Sequence, residues 1–359
     1  MTDSDAFDWL GLLPYLVLLA AGVLIVLGVR NVLRGRAARL AAARRADLAA
    51  TYSPDTVAAK DTVAAPAPVP APATAPATVR DAGNGNGPLS GGRFAPLEEL
   101  GRGGMGVVWR AQDRVLGREV AIKQLLPPAG FAAEARDSMR ARLLREARAA
   151  ARLDHKGAVT VHDVLLDQES VIIVMELVKS AATLHATVAD AGPLPPGRVA
   201  ALGVELLDVL TEAHGLGIIH RDVKPANVLV RQDGSVKLAD FGIARLEGDP
   251  TLTEAGAVMG TPAYMAPEQI RGHEPGPATD LWGLGVTLFY AVEGQPPFRG
   301  PSPTAAMAAV LTDPPAVPER AGPVLGRLLA GLLAKDPVGR PGAEELRAGL
   351  RSAFSTTGE

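Results

Sequence analysis

Asp222, Asn227 and Asp240 are the residues whose types and spacing could do chemistry together. They lie in His220-Arg221-Asp222-Val223-Lys224-Pro225-Ala226-Asn227 and, a short interval later, in Asp240-Phe241-Gly242. A carboxylate can accept a proton from an attacking hydroxyl. A second carboxylate and a side-chain amide supply the oxygen donors that a hard divalent cation such as magnesium prefers. An acid, an amide five residues later and then another acid form a layout suited to binding and using magnesium-ATP. Either motif alone carries little information. The two in this order and spacing carry a great deal.

Such side chains need elements to position them. From Arg93 the sequence alternates short apolar runs with helical patterns. The runs 94–101, 107–111 and 119–125 predict three strands of an antiparallel sheet, and 159–166 and 171–177 predict two more. Leu143, Ala147, Ala150 and Leu153 predict a helix over 140–153, preceded by a Pro/Gly-rich loop over 126–138. After Thr183 the pattern is mostly helical. Val199, Leu202, Leu206, Val209 and Ala213 mark one long helix, and 281–291, apolar nearly all round, predicts a buried one.

Two further pieces sit on the predicted sheet. Gly101-Arg102-Gly103-Gly104-Met105-Gly106 lies between two strands, where glycines let a hairpin backbone approach phosphate oxygens closely. A dinucleotide-binding fold would place a helix next, whereas here a strand beginning near Val108 follows. Lys123 ends Val120-Ala121-Ile122-Lys123 on the third strand, 17 residues after Gly106. A lysine in an apolar strand needs a carboxylate to hold it. Glu146, mid-helix beside the apolar stripe, is the stronger candidate, and Glu134 the weaker.

With Ala266-Pro267-Glu268 added, the ordered pieces resemble those of Hanks-type Ser/Thr protein kinases of the bacterial membrane-bound kind, over residues 94 to about 353. The resemblance implies an α+β, bilobal protein-kinase fold over 93–355: a small antiparallel-sheet lobe with one helix (93–177) and a large helical lobe (178–355). It implies Asp222 as catalytic base, Lys224 on the transferring phosphoryl group, and Lys123, held by Glu146, on the α- and β-phosphates of ATP. Asn227 and Asp240 would hold Mg2+, for which Mn2+ is an alternative. Gly101, Gly103 and Gly106 would cover the phosphates. Leu100, Val108, Ala121 and Leu229 would sandwich the purine, with Met175 as gatekeeper. The carbonyl of Glu176 and the amide of Val178 would read the adenine edge. Glu268 would pair with Arg340, and Asp280 would anchor the catalytic loop. Val223 stands where leucine is more usual, a conservative departure.

Lys224 and Gly260-Thr261-Pro262 follow the Ser/Thr pattern, so the implied substrates are protein serines and threonines. The Thr261 hydroxyl could bridge Asp222 and Lys224. Two alternatives are weighed. A pseudokinase-type binding or scaffold module would lack catalytic residues, and here Lys123, Asp222, Asn227 and Asp240 are all present. A small-molecule phosphotransferase of similar fold would lack the Ala266-Pro267-Glu268 segment and the Ser/Thr-style lysine.

Arg221 adds a positive charge beside the site, and the segment 243–265 carries Thr251, Thr253 and Thr261. A phosphate there would bring negative charge and acceptor oxygens to the arginine. Autophosphorylation at Thr251 or Thr253, in trans within a transient homodimer, is therefore expected.

The rest of the chain bounds these readings. With 359 residues there is room for one large domain plus extra segments. A net charge of −3 offers no electrostatic reason for nucleic-acid binding. The lack of cysteine excludes disulfides, thiolate metal sites and a thiol nucleophile. Residues 9–29 carry no charge and as a helix would cover about 30 Å, the thickness of a bilayer core. Asp3, Asp5 and Asp8 precede them, and Arg30, Arg34, Arg36, Arg39, Arg44 and Arg45 follow. The expected topology is a single span in the cell membrane, with 1–8 outside and the kinase domain cytoplasmic. A cleaved signal would want a basic start and a shorter apolar core. Residues 30–50 predict a basic juxtamembrane helix. The Pro/Ala/Gly-rich stretch 51–92 predicts a linker that buries too little apolar surface to fold.

Overall fold

The computed structural model describes residues 79–81, 92–103, 106–125, 133–166, 170–241 and 262–355. The expected span 9–29, the basic helix 30–50, most of the linker, and Thr251, Thr253 and Thr261 lie outside them. Among the described residues no helix is long and apolar enough to cross a membrane.

Six strands form the first sheet: β1 (Val79–Asp81), β2 (Phe94–Gly103), β3 (Gly106–Asp113), β4 (Arg118–Leu125), β5 (Val161–Leu166) and β6 (Val171–Glu176), in the order β1-β5-β6-β4-β3-β2. Five of them were expected, within a few residues at their ends. The sheet is antiparallel except at β1, which runs parallel to β5 with Val79 opposite Val164. This strand corrects the linker 51–92: three of its residues hydrogen-bond to the edge that β5 would otherwise leave open.

Alternation divides the two faces of the sheet. Val120 and Ile122 point outward and pack with Phe94, Ala111, Leu165, Ile172, Val174 and Trp109. Ala121, Leu125, Ile173 and Met175 point inward and join the main core. Helix α1 (Ala133–Ala150) lies on that inner side, with Leu143, Ala147 and Ala150 buried. It starts inside the stretch 126–138 read as a loop. The run Ala133-Glu134-Ala135-Arg136 consists of good helix formers, while the prolines and glycine precede it. Arg93 ties the outer layer at three points. It pairs with Asp113 at 2.8 Å and Asp163 at 3.2 Å, and its guanidinium stacks over Phe94.

The second lobe is helical: α2 (Leu184–Ala191), α3 (Pro196–Gly215), α4 (Pro267–Ile270), α5 (Pro277–Glu293), α6 (Pro303–Thr312), α7 (Gly322–Leu332) and α8 (Ala343–Ser355). Thr183 caps α2 by accepting from the amide of Ala186 at 3.1 Å. The stripe on α3 is buried as expected, and α5 is buried on every side from Trp282 to Val292. Proline opens α5, and Gly294 closes it at φ 75°, where a side chain would be strained. A small sheet of β7 (Ala181–Thr183), β8 (Val228–Arg231) and β9 (Val236–Leu238) lies at the lobe boundary. It carries the segments before Asp240 and after Asn227.

Candidate active site

The loop that carries Asp222 leaves the end of α3 and closes in a short 3-10 turn, Pro225–Asn227. Asp280, on the buried α5, grips its backbone. One carboxylate oxygen accepts from the amide of His220 at 2.8 Å and the other from Arg221 at 2.7 Å. His214 lies 2.7 Å from the same carboxylate. Asp280 is thus the anchor of the loop. Arg221 sits at φ 66° and Asp240 at φ 65°, the left-handed region that costs a non-glycine residue on the order of 1–3 kcal/mol. Each adjoins or is a candidate catalytic carboxylate, and the surrounding hydrogen bonds hold the strain.

Lys224 Nζ donates to Asp222 Oδ2 at 2.7 Å. The Asn227 amide donates to the carbonyl of Asp222 at 2.8 Å and to its carboxylate at 3.2 Å. Both Nδ2 bonds point inward, so Asn227 keeps its Oδ1 as an acceptor. His220, fully buried, contacts the carbonyl of Ala239 at 2.8 Å and packs on the ring of Phe241. These contacts bring the Asp222 loop and the Asp240 loop side by side.

Lys123 does not pair with Glu146. Its ammonium lies 2.8 Å from Asp240 Oδ1. Glu146 Oε1 instead meets Arg221 Nη1 at 3.1 Å and Arg142 Nε at 3.4 Å. The expected partnership is corrected by geometry, because Asp240 is the carboxylate within reach of Lys123 and two guanidinium groups claim Glu146. The same contact compensates the positive charge that Arg221 brings to the loop. Oε2 of Glu146 is buried and has no hydrogen-bond partner among the described residues. Burial pushes the Glu146 carboxyl above the usual range, against the pull of Arg221 and Arg142. At Asp240 burial also pushes upward, but the ammonium of Lys123, helped by His220 and Lys224, wins and holds the carboxyl low.

Of the residues expected to hold the purine, Ala121 and Met175 belong to the inner core and Val108 packs against it, while Leu229 lies on β8 of the small sheet. Val108 stands opposite Lys123 in the ladder, and Ala121 opposite Met175. Met175 is buried, Val178 and Leu229 are half-buried, and Leu100 is 47% exposed. Gly103 and Gly106 pair where β2 meets β3. A Cβ on Gly106 would lie 1.9 Å from the carbonyl of Gln124, so the fold itself demands glycine there. A Cβ on Gly101 would meet nothing within 4 Å, so the fold makes no such demand at that position.

Two residues that hold the loop were not picked out from sequence. Gln269 donates to the carbonyl of Arg221 at 2.9 Å. At Gly283 on α5 a Cβ would lie 2.7 Å from the carbonyl oxygen of Val223. A glycine inside a helix that is otherwise apolar all round was the available signal for the latter. Glu268 and Arg340 form a buried pair at 2.7 Å, with Thr279 and the carbonyls of Ala278 and Ala334 satisfying the rest.

A two-lobed fold with an acid–amide–acid cluster at the boundary defines a phosphotransferase architecture. The protein kinase domain family matches residues 94–349, and the chain belongs to that family. It is 38% identical over 275 residues to a serine/threonine-protein kinase, PkaA, of Streptomyces coelicolor, covering 73% of this chain and 50% of that protein. It is 38% identical over 255 residues to the serine/threonine-protein kinase PknA of Mycobacterium tuberculosis, covering 69% and 58%. With PknD of the same organism it shares 37% over 279 residues, covering 75% and 41%. The chain therefore spans about half the length of these curated relatives.

Proposed function

We propose that the chain is a Ser/Thr protein kinase that moves the γ-phosphoryl group of ATP to protein hydroxyls. The observation that carries this reading is the cluster Asp222–Lys224–Asn227 packed beside Asp240 and Lys123. Asp222 accepts the proton of the substrate hydroxyl as its oxygen bonds to the γ-phosphorus, and the bond to the ADP oxygen breaks. Lys224, already beside Asp222, places its positive charge where the phosphoryl group passes. Leu100, Val108, Ala121 and Leu229 enclose the purine, next to Met175. The backbone of Glu176 and Val178 reads its edge. Gly101, which the fold leaves free to carry a side chain, keeps room for phosphate. Oxygen donors on Asn227 and Asp240 suit magnesium or manganese. When bound, that cation neutralises phosphate charge.

Lys123 holds one oxygen of Asp240, and giving it up would free the whole carboxylate for the cation. The buried Oε2 of Glu146 is the acceptor Lys123 would move to, once Arg221 lets Glu146 go. A phosphate on Thr251 or Thr253 would draw Arg221 away by charge-assisted hydrogen bonds. The catalytic and switch readings thus meet in one exchange of partners. Substrates are proteins bearing serine or threonine, and trans-autophosphorylation proceeds through a transient homodimer. Residues 9–29 anchor the enzyme in the cell membrane as a single pass, with the kinase domain cytoplasmic on its tether.

One experiment tests the catalytic and switch readings. The full chain and its Asp222→Asn variant are incubated with magnesium-ATP, and phosphosites are mapped by mass spectrometry. Wild type should label itself at Thr251 or Thr253, while Asp222→Asn should bind ATP but transfer the phosphoryl group about 10²-fold more slowly, or more slowly still. Equal turnover by the two proteins would sink the assignment of the base. An active enzyme unmodified at both threonines would remove the switch.

A further inference from the structure

Lys237 is a buried lysine that the transfer chemistry does not use. It lies on β9, three residues before Asp240, and is only 6% exposed. Its ammonium donates to Glu176 Oε2 at 2.7 Å and to the carbonyl of Ala158 at 2.9 Å. Glu176 ends β6. Its carboxylate also accepts the amide of Thr160 at 3.3 Å, and its own amide donates to the carbonyl of Thr160 at 2.8 Å. Three segments therefore meet at one ion pair: the end of β6, the stretch 158–160, and the strand that leads into the Asp240 loop. That stretch is tied to β9 again through Leu238, whose amide reaches Gly157 at 2.7 Å and whose carbonyl accepts from Val159 at 2.9 Å.

The ladder registers give the place of the pair relative to the purine. Glu176 stands opposite Val120, the neighbour of Ala121. Lys237 stands opposite Leu229. Of the residues expected to hold the purine, Ala121 thus follows the partner of Glu176, and Leu229 is itself the partner of Lys237. Burial alone would raise the Glu176 carboxyl, yet Lys237 and the amide of Thr160 bring it below the usual range. A well-packed apolar pair could join the same strands without removing two charges from water, so an ion pair here is weak as a device for stability alone. What it adds is a fixed distance and direction.

Resting on the kinase reading above, we propose that Lys237 and Glu176 form a positioning pair that holds the adenine-reading end of β6 in register with the metal loop. Neither side chain touches the reacting atoms. The pair keeps the carbonyl of Glu176 aimed at the adenine edge while the strand carrying Asp240 stays in place.

The test measures affinity for ATP and for adenosine, by displacement of a fluorescent nucleotide, alongside kcat at saturating ATP, on the full chain. Lys237→Met should weaken both ligands by about tenfold while kcat stays within about twofold, because misplaced recognition shows in binding more than in chemistry. Glu176→Gln should weaken both by about threefold, and the double variant should be no worse than Lys237→Met alone. Lys237→Arg should restore most of the affinity. If Lys237→Met does not fold, Glu176→Gln carries the test. Folded variants with wild-type affinity, a loss confined to ATP, or a change in kcat alone would overturn the proposal. A wild-type chain that binds no ATP would instead overturn the kinase reading.

Discussion

Gly283 has no group that titrates or accepts a proton, yet the loop that carries Asp222 rests on it. An added methyl would lie 2.7 Å from the carbonyl oxygen of Val223 and 2.9 Å from its Cβ, next in sequence to Asp222. The loop or the helix would have to move. Gly283→Ala should therefore lower kcat by roughly 10- to 100-fold, since small displacements of a catalytic group are costly. It should destabilise the fold by about 1–3 kcal/mol through overpacking. Gly101→Ala is the contrast: it should leave stability unchanged, having open space, and weaken ATP binding. Steady-state kinetics and urea unfolding on both variants decide the matter, and a Gly283→Ala enzyme with wild-type kcat would refute the packing argument. This residue also marks how far sequence could be read at this scale. Asp222, Asn227 and Asp240 could be singled out because the chemistry expected of them restricts residue type and spacing, and the fold brings their loops side by side. Gly283 and Gln269 could not, since their reason is contact across 60 and 48 residues of chain. The partner of Lys123 was misread because spacing does not say which carboxylate lies within reach; the fold gives it Asp240 and gives Glu146 two arginines.

The elements around the site are joined by a few buried pairs, of which Glu268–Arg340 is the most enclosed. Glu268 sits in α4, Arg340 just after the 3-10 turn Pro337–Gly339, and both bind to the start of α5 through Thr279 and Ala278. Burial would raise the Glu268 carboxyl, but Arg340 overrides it and brings the carboxyl below its ordinary value of 4.5. A carboxyl lowered on folding contributes stability that is present above its unfolded value and is lost as pH falls through the folded one. Unfolding of wild type should therefore become easier as pH falls below about 4.5. Arg340→Ala leaves a buried carboxylate alone and should cost about 3–5 kcal/mol at neutral pH. It should also flatten or invert the acid limb that Glu268 contributes. Denaturant titrations of both proteins at pH 7 and pH 4 read out both effects, and parallel acid limbs would show that the pair does not set the pH dependence. At this scale the strands and long helices were visible as apolar period. The small sheet β7–β8–β9 was not, because segments of three or four residues carry too little pattern. The true start of α1 was hidden by the prolines just before it.

At the scale of the whole chain, composition separates an apolar N-terminal run, a Pro/Ala/Gly-rich stretch and a folded domain, and the boundary between the last two needs revision. The stretch 51–92 was read as a linker throughout, because its composition buries too little apolar surface to fold. Yet Val79–Asp81 hydrogen-bonds along β5 in parallel, opposite Val164, Leu165 and Leu166. Without it, β5 would be the open edge of the sheet, with its amides and carbonyls free to pair with another chain. Val164 and Leu165 are buried in the two faces of that sheet, so the strand itself needs no help to form. What β1 supplies is cover. Fragments starting at 73 and at 93 should therefore both fold, bind ATP and phosphorylate a generic protein substrate. The shorter one should associate or aggregate at lower protein concentration, because it presents a bare edge. In cells, the intact chain should fractionate with membranes, and protease added outside should not reach the kinase domain. Light scattering across a concentration series and hydrogen exchange on β5 compare the two fragments directly. Identical scattering and identical protection of residues 164–166 would mean that β1 adds nothing, and that the folded domain begins at Arg93 after all.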